Sequence, residues 1–298
     1  MKYHAINAKV AGMNAKLLLD EDYSSISNAR TAHEAMNLLK SHETYAHLDN
    51  DWTSFGAQTF SLLEDDYAKI SNFINDMNIK KYLRSVLEKR RVALLKQELR
   101  IAYGVGKSTD AVIEAPQGDR FHDFLKSTIK SGAALSQIEI LLDLNYYTNL
   151  WKARSRYLSG ADKVAMTLVN GTEIDMYNLA RILGLKKHYK TSGEQMYKYV
   201  LPINYKVVPQ LIQQLIEADN EVRIRELIGS TSYGEYFAAG NTAAAFNRAI
   251  NDANRRAVCK NPDTIAKITY YLHRKEAEIS NIISIMETIN YARRCRRA

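Results

Sequence analysis

The chain has 298 residues, a formal net charge of +8, 46% hydrophobic and 25% charged side chains, ordinary values for a globular protein with a core large enough to need no covalent staples. Its two cysteines, Cys259 and Cys295, exclude a disulfide framework and form no C-x-x-C pair, which points to a reducing compartment, the cytoplasm. The absence of any run of 18 apolar residues, and of an apolar block with a cleavage site near the N-terminus, argues against a membrane span and a signal peptide.

Helical periodicity dominates from the start. The stretch 26–48 reads as a short helix, then Leu38-Leu39, then Thr44-Tyr45. Two long helices follow over 55–78 and 79–104, the second stopped by Gly104 and Gly106. Residues 104–119 read as a linker, and 136–158 as a long helix bearing Tyr and Trp. The next helix, 161–189, is expected to break at Asn170-Gly171, a strong turn dipeptide. Shorter helices are read near 193–200, 206–218, 220–229 and 241–257. Pro262-Asp263 opens the last helix, whose apolar stripe runs Ile265, Ile268, Leu272, Ile279, Ile282, Met286, Ile289 and is interrupted by Lys275. Four prolines and 13 glycines are too few for the turns of a sheet protein, and no alternating strand stands out.

Chemistry-bearing motifs fail on inspection. "GVGKST" (104–109) lacks the glycine that a phosphate loop needs five residues before Gly106; that position is Ile101. "HEAMN" (33–37) puts Asn37 where a zinc protease needs histidine, and His42 and His47 do not share a helix face. "NGT" (170–172) matches a glycosylation acceptor with nothing to route it there. Glu64-Asp65-Asp66 reads as a solvated charge run. No catalytic, cofactor-binding or metal-binding residue is assigned. The basic residues are mostly interleaved with acids; the dense runs are Lys89 to Arg91 and the tail 293–298. That pattern describes solvated helix faces rather than a nucleic-acid surface.

One pattern recurs. In "EIDMYNLARIL" (173–183) Asp175 and Asn178 stand three apart on an apolar helix; in "EAEISNIISIM" (276–286) Glu278 and Asn281 do the same. Buried in a bundle, such a pair fixes register, because leaving its groups unpaired costs about 1–3 kcal/mol. A second echo precedes each: Leu38-Leu39 then Thr44 and Tyr45, and Leu227-Ile228 then Thr231 and Tyr233. Three repeat units are read, 1–112, 113–214 and 215–298, with Pro116 and Pro209 near the joints.

The runs "EIDMYNLARILGLKKHY", "LDLNYYTNLWKARSRYL" and "YYLHRKEAEISNIISIMETI", with the opening "INAKVAGMNAKLLLDEDYSSISNARTAHEAMNLLKSHETYAHL", together resemble the C subunit of the V-type and archaeal-type ATPases, the family that also holds the d subunit of eukaryotic V-ATPases. The resemblance covers nearly the whole chain and rests on the order of diffuse motifs. It implies an all-α, funnel-like body of three related helical bundles about a pseudo-threefold axis. It also implies a protein that is not an enzyme, carries no cofactor and is a monomer when isolated. The family's place is on the cytoplasmic face of the membrane rotor ring, peripheral and not inserted. There it receives the central axle and passes torque between ATP turnover and proton or sodium transport. One departure stands out: where the first unit should carry the acid and Asn, within 88–100, it has Arg91 and Leu94. The residues by themselves also leave room for an unrelated helical scaffold, for a nucleic-acid module using the tail at 293–298, and for an enzyme with a dispersed site.

Overall fold

The computed structural model describes residues 3–50, 55–104, 120–188, 193–238 and 240–295. Among them are 14 α-helices, one 3-10 turn and no strand, so the fold is all-α. In chain order these are α1 (His4–Asn14), α2 (Asp20–Ser27), α3 (Ala32–Lys40), the 3-10 turn (Glu43–Tyr45), α4 (Phe55–Ser71) and α5 (Met77–Gly104). Then come α6 (Arg120–Lys130), α7 (Leu135–Tyr157), α8 (Gly160–His188), α9 (Gly193–Tyr197) and α10 (Pro209–Glu217). The last four are α11 (Glu221–Gly229), α12 (Gly234–Phe237), α13 (Thr242–Lys260) and α14 (Ala266–Cys295). The expected linker at 104–119, with "GVGKST" and Pro116, lies outside the described residues beyond Gly104, as does the tail beyond Cys295. No helix among the described residues is long and apolar enough to cross a membrane.

Packing divides the chain into two compact units, Met1–Leu94 with Lys267–Ala298, and Leu95–Ala266. This is a division by contact; the repeat borders near 112 and 214 are a division by sequence likeness. In the first unit, α3 starts where Thr31 caps it, its hydroxyl accepting from Glu34 N at 3.1 Å, an interaction of about 1 kcal/mol. The apolar face so aligned, Ala35, Met36 and Leu39, packs with Ile26, Tyr45 and Phe55 against Ile282 and Met286 of α14. The α14 stripe expected from the sequence is buried from Ile265 to Met286, and Lys275, which interrupts it, is buried as well.

In the second unit the centre is α8. Met176, Leu179, Ile182 and Leu183 pack with residues of α9, α10 and α11, and with Ala245 and Ala249 of α13. Alanines at 245, 249, 253 and 257 are all buried, and this methyl stripe lets α13 lie along α8. Pro209 occupies the first turn of α10, where its missing N–H is no loss.

The break expected at Asn170-Gly171 is absent: α8 is continuous through both. The turn rule sees only neighbours in sequence, and the glycine answers to a tertiary contact. A Cβ on Gly171 would lie 2.7 and 2.8 Å from the ring Cδ atoms of Tyr205, so only a glycine lets that ring rest on the helix backbone. Asn170 is buried in the same stretch, which removes "NGT" as an exposed acceptor.

Two glycines of one helix should therefore respond oppositely to alanine. Gly184 has nothing within 4 Å of a built Cβ, so Gly184→Ala should raise stability by about 1 kcal/mol from helix propensity. Gly171→Ala should lower it by about 1–3 kcal/mol through overpacking. Urea denaturation of both variants checks this; a stabilised Gly171→Ala would mean that Tyr205 does not sit on the helix.

Candidate functional site

The segment between α9 and α10 has no regular structure, yet part of it is buried. Past Tyr199, whose N–H still reaches Met196 of α9, its backbone N–H groups have no helical partners and need acceptors. Asp175, fully buried on α8, supplies them. Its carboxylate accepts from Tyr205 N (3.3 Å), Lys206 N (2.7 Å) and Val207 N (3.2 Å), and from the Tyr233 hydroxyl (2.9 Å). One turn along, Asn178 closes two bonds with Leu201. Its Nδ2 donates to the carbonyl at 3.1 Å, and its Oδ1 accepts from the N–H at 2.9 Å. The two side chains thus clamp one irregular segment at both ends. Burial pushes the Asp175 carboxyl above its ordinary range, and the four hydrogen bonds pull it partly back.

Glu278 does comparable work on α14. Its Oε2 accepts from Leu18 N at 2.6 Å, in the connection between α1 and α2, and its Oε1 accepts from the Tyr45 hydroxyl at 2.5 Å. Here an ammonium joins in. Lys275 Nζ lies 2.6 Å from Glu278 Oε1 and 2.9 Å from the Tyr45 oxygen, with the Tyr45 ring centroid 4.4 Å away. Both charged side chains are 1–2% exposed. Asn281 is exposed on α14, on the side of Tyr23 at the edge of the cluster. The second amide therefore does not repeat the backbone clamp that Asn178 makes.

The two latches share a form: an acid on a long helix, a backbone N–H from a connection, and a tyrosine from a short-helix element. Tyr45 and Tyr233 are the tyrosines of the Thr-Tyr echo, so the sequence carries a signal for them, without the link to the acids. A further pair has no such signal. Asp66 is buried and accepts from Tyr271 at 2.5 Å, with Lys69 at 3.1 Å. The solvated reading of Glu64-Asp65-Asp66 is therefore corrected for Asp66; Asp65 is exposed, and Glu64 pairs with Arg84. Likewise the basic run Lys89 to Arg91 is not a surface patch, because Arg90 points into the core at 4% exposure. Burial raises the hydroxyls of Tyr45, Tyr233, Tyr271 and Tyr177, helped in each case by a neighbouring carboxylate, and lifts Tyr23 to about 12.

At the corresponding stretch of α5, Arg91 and Leu94 are half-buried and offer no carboxylate. There α5 presents cations instead: Lys96 pairs with Asp143 of α7, and Arg100 with Glu139, at 2.5 and 3.1 Å. No cluster of three His, Cys, Asp or Glu able to hold a metal exists among the described residues. His42 is half-buried beside Tyr45, with ring centroids 6.1 Å apart, and His47 is exposed.

The family model of the ATP synthase (C/AC39) subunit matches residues 6–294, nearly the entire chain. No curated protein matches it significantly.

Two outcomes are expected from the latches. Unfolded tyrosines ionise near pH 10. The raised folded values mean that the stability these tyrosines contribute is fully present below that pH and is lost as pH climbs above it. Absorbance titration at alkaline pH should show a class of tyrosines that ionise only as helical circular dichroism collapses; a single transition near pH 10 in the folded state would contradict this. Lys275→Met leaves the buried Glu278 charge without its cation, and should lower stability by about 3–5 kcal/mol. Lys69→Met, at an exposed cation, should change it by less than about 1 kcal/mol. Denaturant midpoints read both.

Proposed function

Because the chain belongs to the ATP synthase (C/AC39) subunit family, which holds the C and d subunits of V-type ATPases, we propose that it is a non-catalytic adapter of a rotary ATPase. In this reading it links the central axle to the membrane rotor ring and transmits torque for ATP-coupled proton or sodium transport. It sits peripherally on the cytoplasmic side. The match over residues 6–294 carries the proposal.

Three features support it. Torque transmission needs stiffness, and the irregular connections are tied to long helices by buried charge-assisted hydrogen bonds, the stronger kind. The latches also follow the order of the repeats. Asp175, in the repeat 113–214, holds Tyr233 of the repeat 215–298; Glu278, in the last repeat, holds Tyr45 of the first. Each acid thus reaches into the following repeat, and the last returns to the first. These two matching links support the reading of related repeats. The net charge of +8 suits docking on an acidic partner surface, where electrostatics mainly orients and speeds encounter.

The test is capture by the purified chain of the axle subunits and the detergent-solubilised ring of the same cell, at low and moderate salt. Simultaneous capture of both is expected, weakening as salt rises. A folded, helical chain that captures neither would leave a helical scaffold with another role. A chain that loses all binding when 293–298 is deleted would point to the basic tail instead.

A further inference from the structure

A cleft of about 540 Å³ opens within the Leu95–Ala266 unit, walled by α5, α7, α8 and α9, inside the range of about 300–1,000 Å³ typical of small-molecule sites. Its charges do not cancel. Among the described residues, Lys96, Arg100 and Arg181 line it against Asp143 and Glu139. Arg100 and Glu139 pair with each other at the rim, where the Arg100 side chain is 62% exposed. Deeper in, Asp143 serves two cations, Lys96 and Arg181, the latter at 3.0 Å. One positive charge is left over in a place where the Lys96 and Arg181 side chains are only 18% and 26% exposed.

Donors are left over too. Arg181 engages the cleft through Nη2 alone, which reaches Asp143 and the Tyr177 oxygen, while its Nε has no hydrogen-bond partner. That Nε is itself buried, but Nη1 also makes no hydrogen bond and can donate to an incoming acceptor while Nη2 keeps Asp143.

The rest of the lining mixes apolar Ile140, Leu185 and the rings of Tyr199 and Phe246 with polar Ser136, Gln137 and Gln195. Gly184 also lines the cleft, three residues after Arg181 on α8. A glycine inside a helix is less stable than alanine, and here nothing lies within 4 Å of a built Cβ. No packing contact requires it. Its effect is to leave the cleft open beside Arg181.

We propose that this cleft binds a small monoanionic carboxylate carrying an aromatic or apolar body. The carboxylate takes the surplus charge of Lys96 and Arg181, and the body lies over Gly184 against Leu185 and Phe246. A dianionic phosphate is disfavoured, because Asp143 remains in place and only one charge is in excess. An organic cation is disfavoured by the same excess. Nothing in the adapter role needs this site, so the two readings stand or fall separately.

Titration calorimetry on the full chain tests it, with benzoate and phenylacetate as probes and acetate, inorganic phosphate and benzylamine as controls. Saturable one-to-one heat is expected from the aromatic carboxylates and not from the controls. Arg181→Gln should weaken binding at least about tenfold, as loss of a charge-assisted contact does. Gly184→Leu fills the cleft without touching its charge and strengthens the helix, so it should abolish binding while raising thermal stability. That second variant keeps the test meaningful if Arg181→Gln folds poorly. Heat from neither carboxylate, equal heat from acetate or phosphate, or undiminished binding to Gly184→Leu would each overturn the proposal.

Discussion

A carboxylate buried on the side of a helix must be met by donors, and in this chain the donors come from the segments that have the fewest partners of their own. Helix backbone satisfies itself; the connections around Leu18 and Tyr205–Val207 do not. Each unsatisfied buried group would cost about 1–3 kcal/mol. Asp175 and Glu278 remove that penalty for several groups at once. The positions of the connections, and of the tyrosine-bearing elements beside them, follow from these two side chains.

The two sites solve the same problem with different charge. Asp175 has three backbone donors and a hydroxyl, enough to solvate a carboxylate with neutral groups alone. Glu278 has one backbone donor, from Leu18, and the deficit is met by Lys275 from the preceding turn of its own helix. A buried ion pair is not a cheap replacement, since both ions lose hydration. The Tyr45 oxygen, at 2.9 Å from the ammonium, and its ring beneath share the task of solvating the cation. Lys275 thus belongs in the apolar stripe of α14 because Glu278 does, and the interruption of the stripe is one half of a pair.

What is legible in the sequence follows the range of the interactions. Helices, their approximate ends and the buried stripe of α14 are legible, because periodicity and capping act over a few residues. The acid and amide at 175 and 178, and at 278 and 281, are legible as a pattern, and so is the Thr-Tyr echo. That Asp175 meets Tyr233 and Glu278 meets Tyr45 is not, because those contacts span 58 and 233 residues. The departures have the same origin. Gly171 has the local pattern of a turn because Tyr205, the ring that needs it, is distant in sequence. Asp66 has the local pattern of a solvated acid because Tyr271, its donor, is 205 residues away.

The stretch of α5 that lacks an acid shows what such a latch supplies. Lys96 and Arg100 of α5 face Asp143 and Glu139 of α7, so the sign of the charge on the long helix is inverted there. Those pairs are more open to water than Lys275 and Glu278, most of all Arg100. The exposed Arg100 pair contributes about 0–1 kcal/mol and weakens with salt, whereas the hydrogen bonds of the buried acids are less open to hydration and screening. Within the Leu95–Ala266 unit the seam between α5 and α7 is therefore held more loosely than the segment clamped by Asp175 and Asn178. The cleft with its surplus cation lies along that seam. Having no buried carboxylate on α5 leaves a joint that is both softer and still short of an anion.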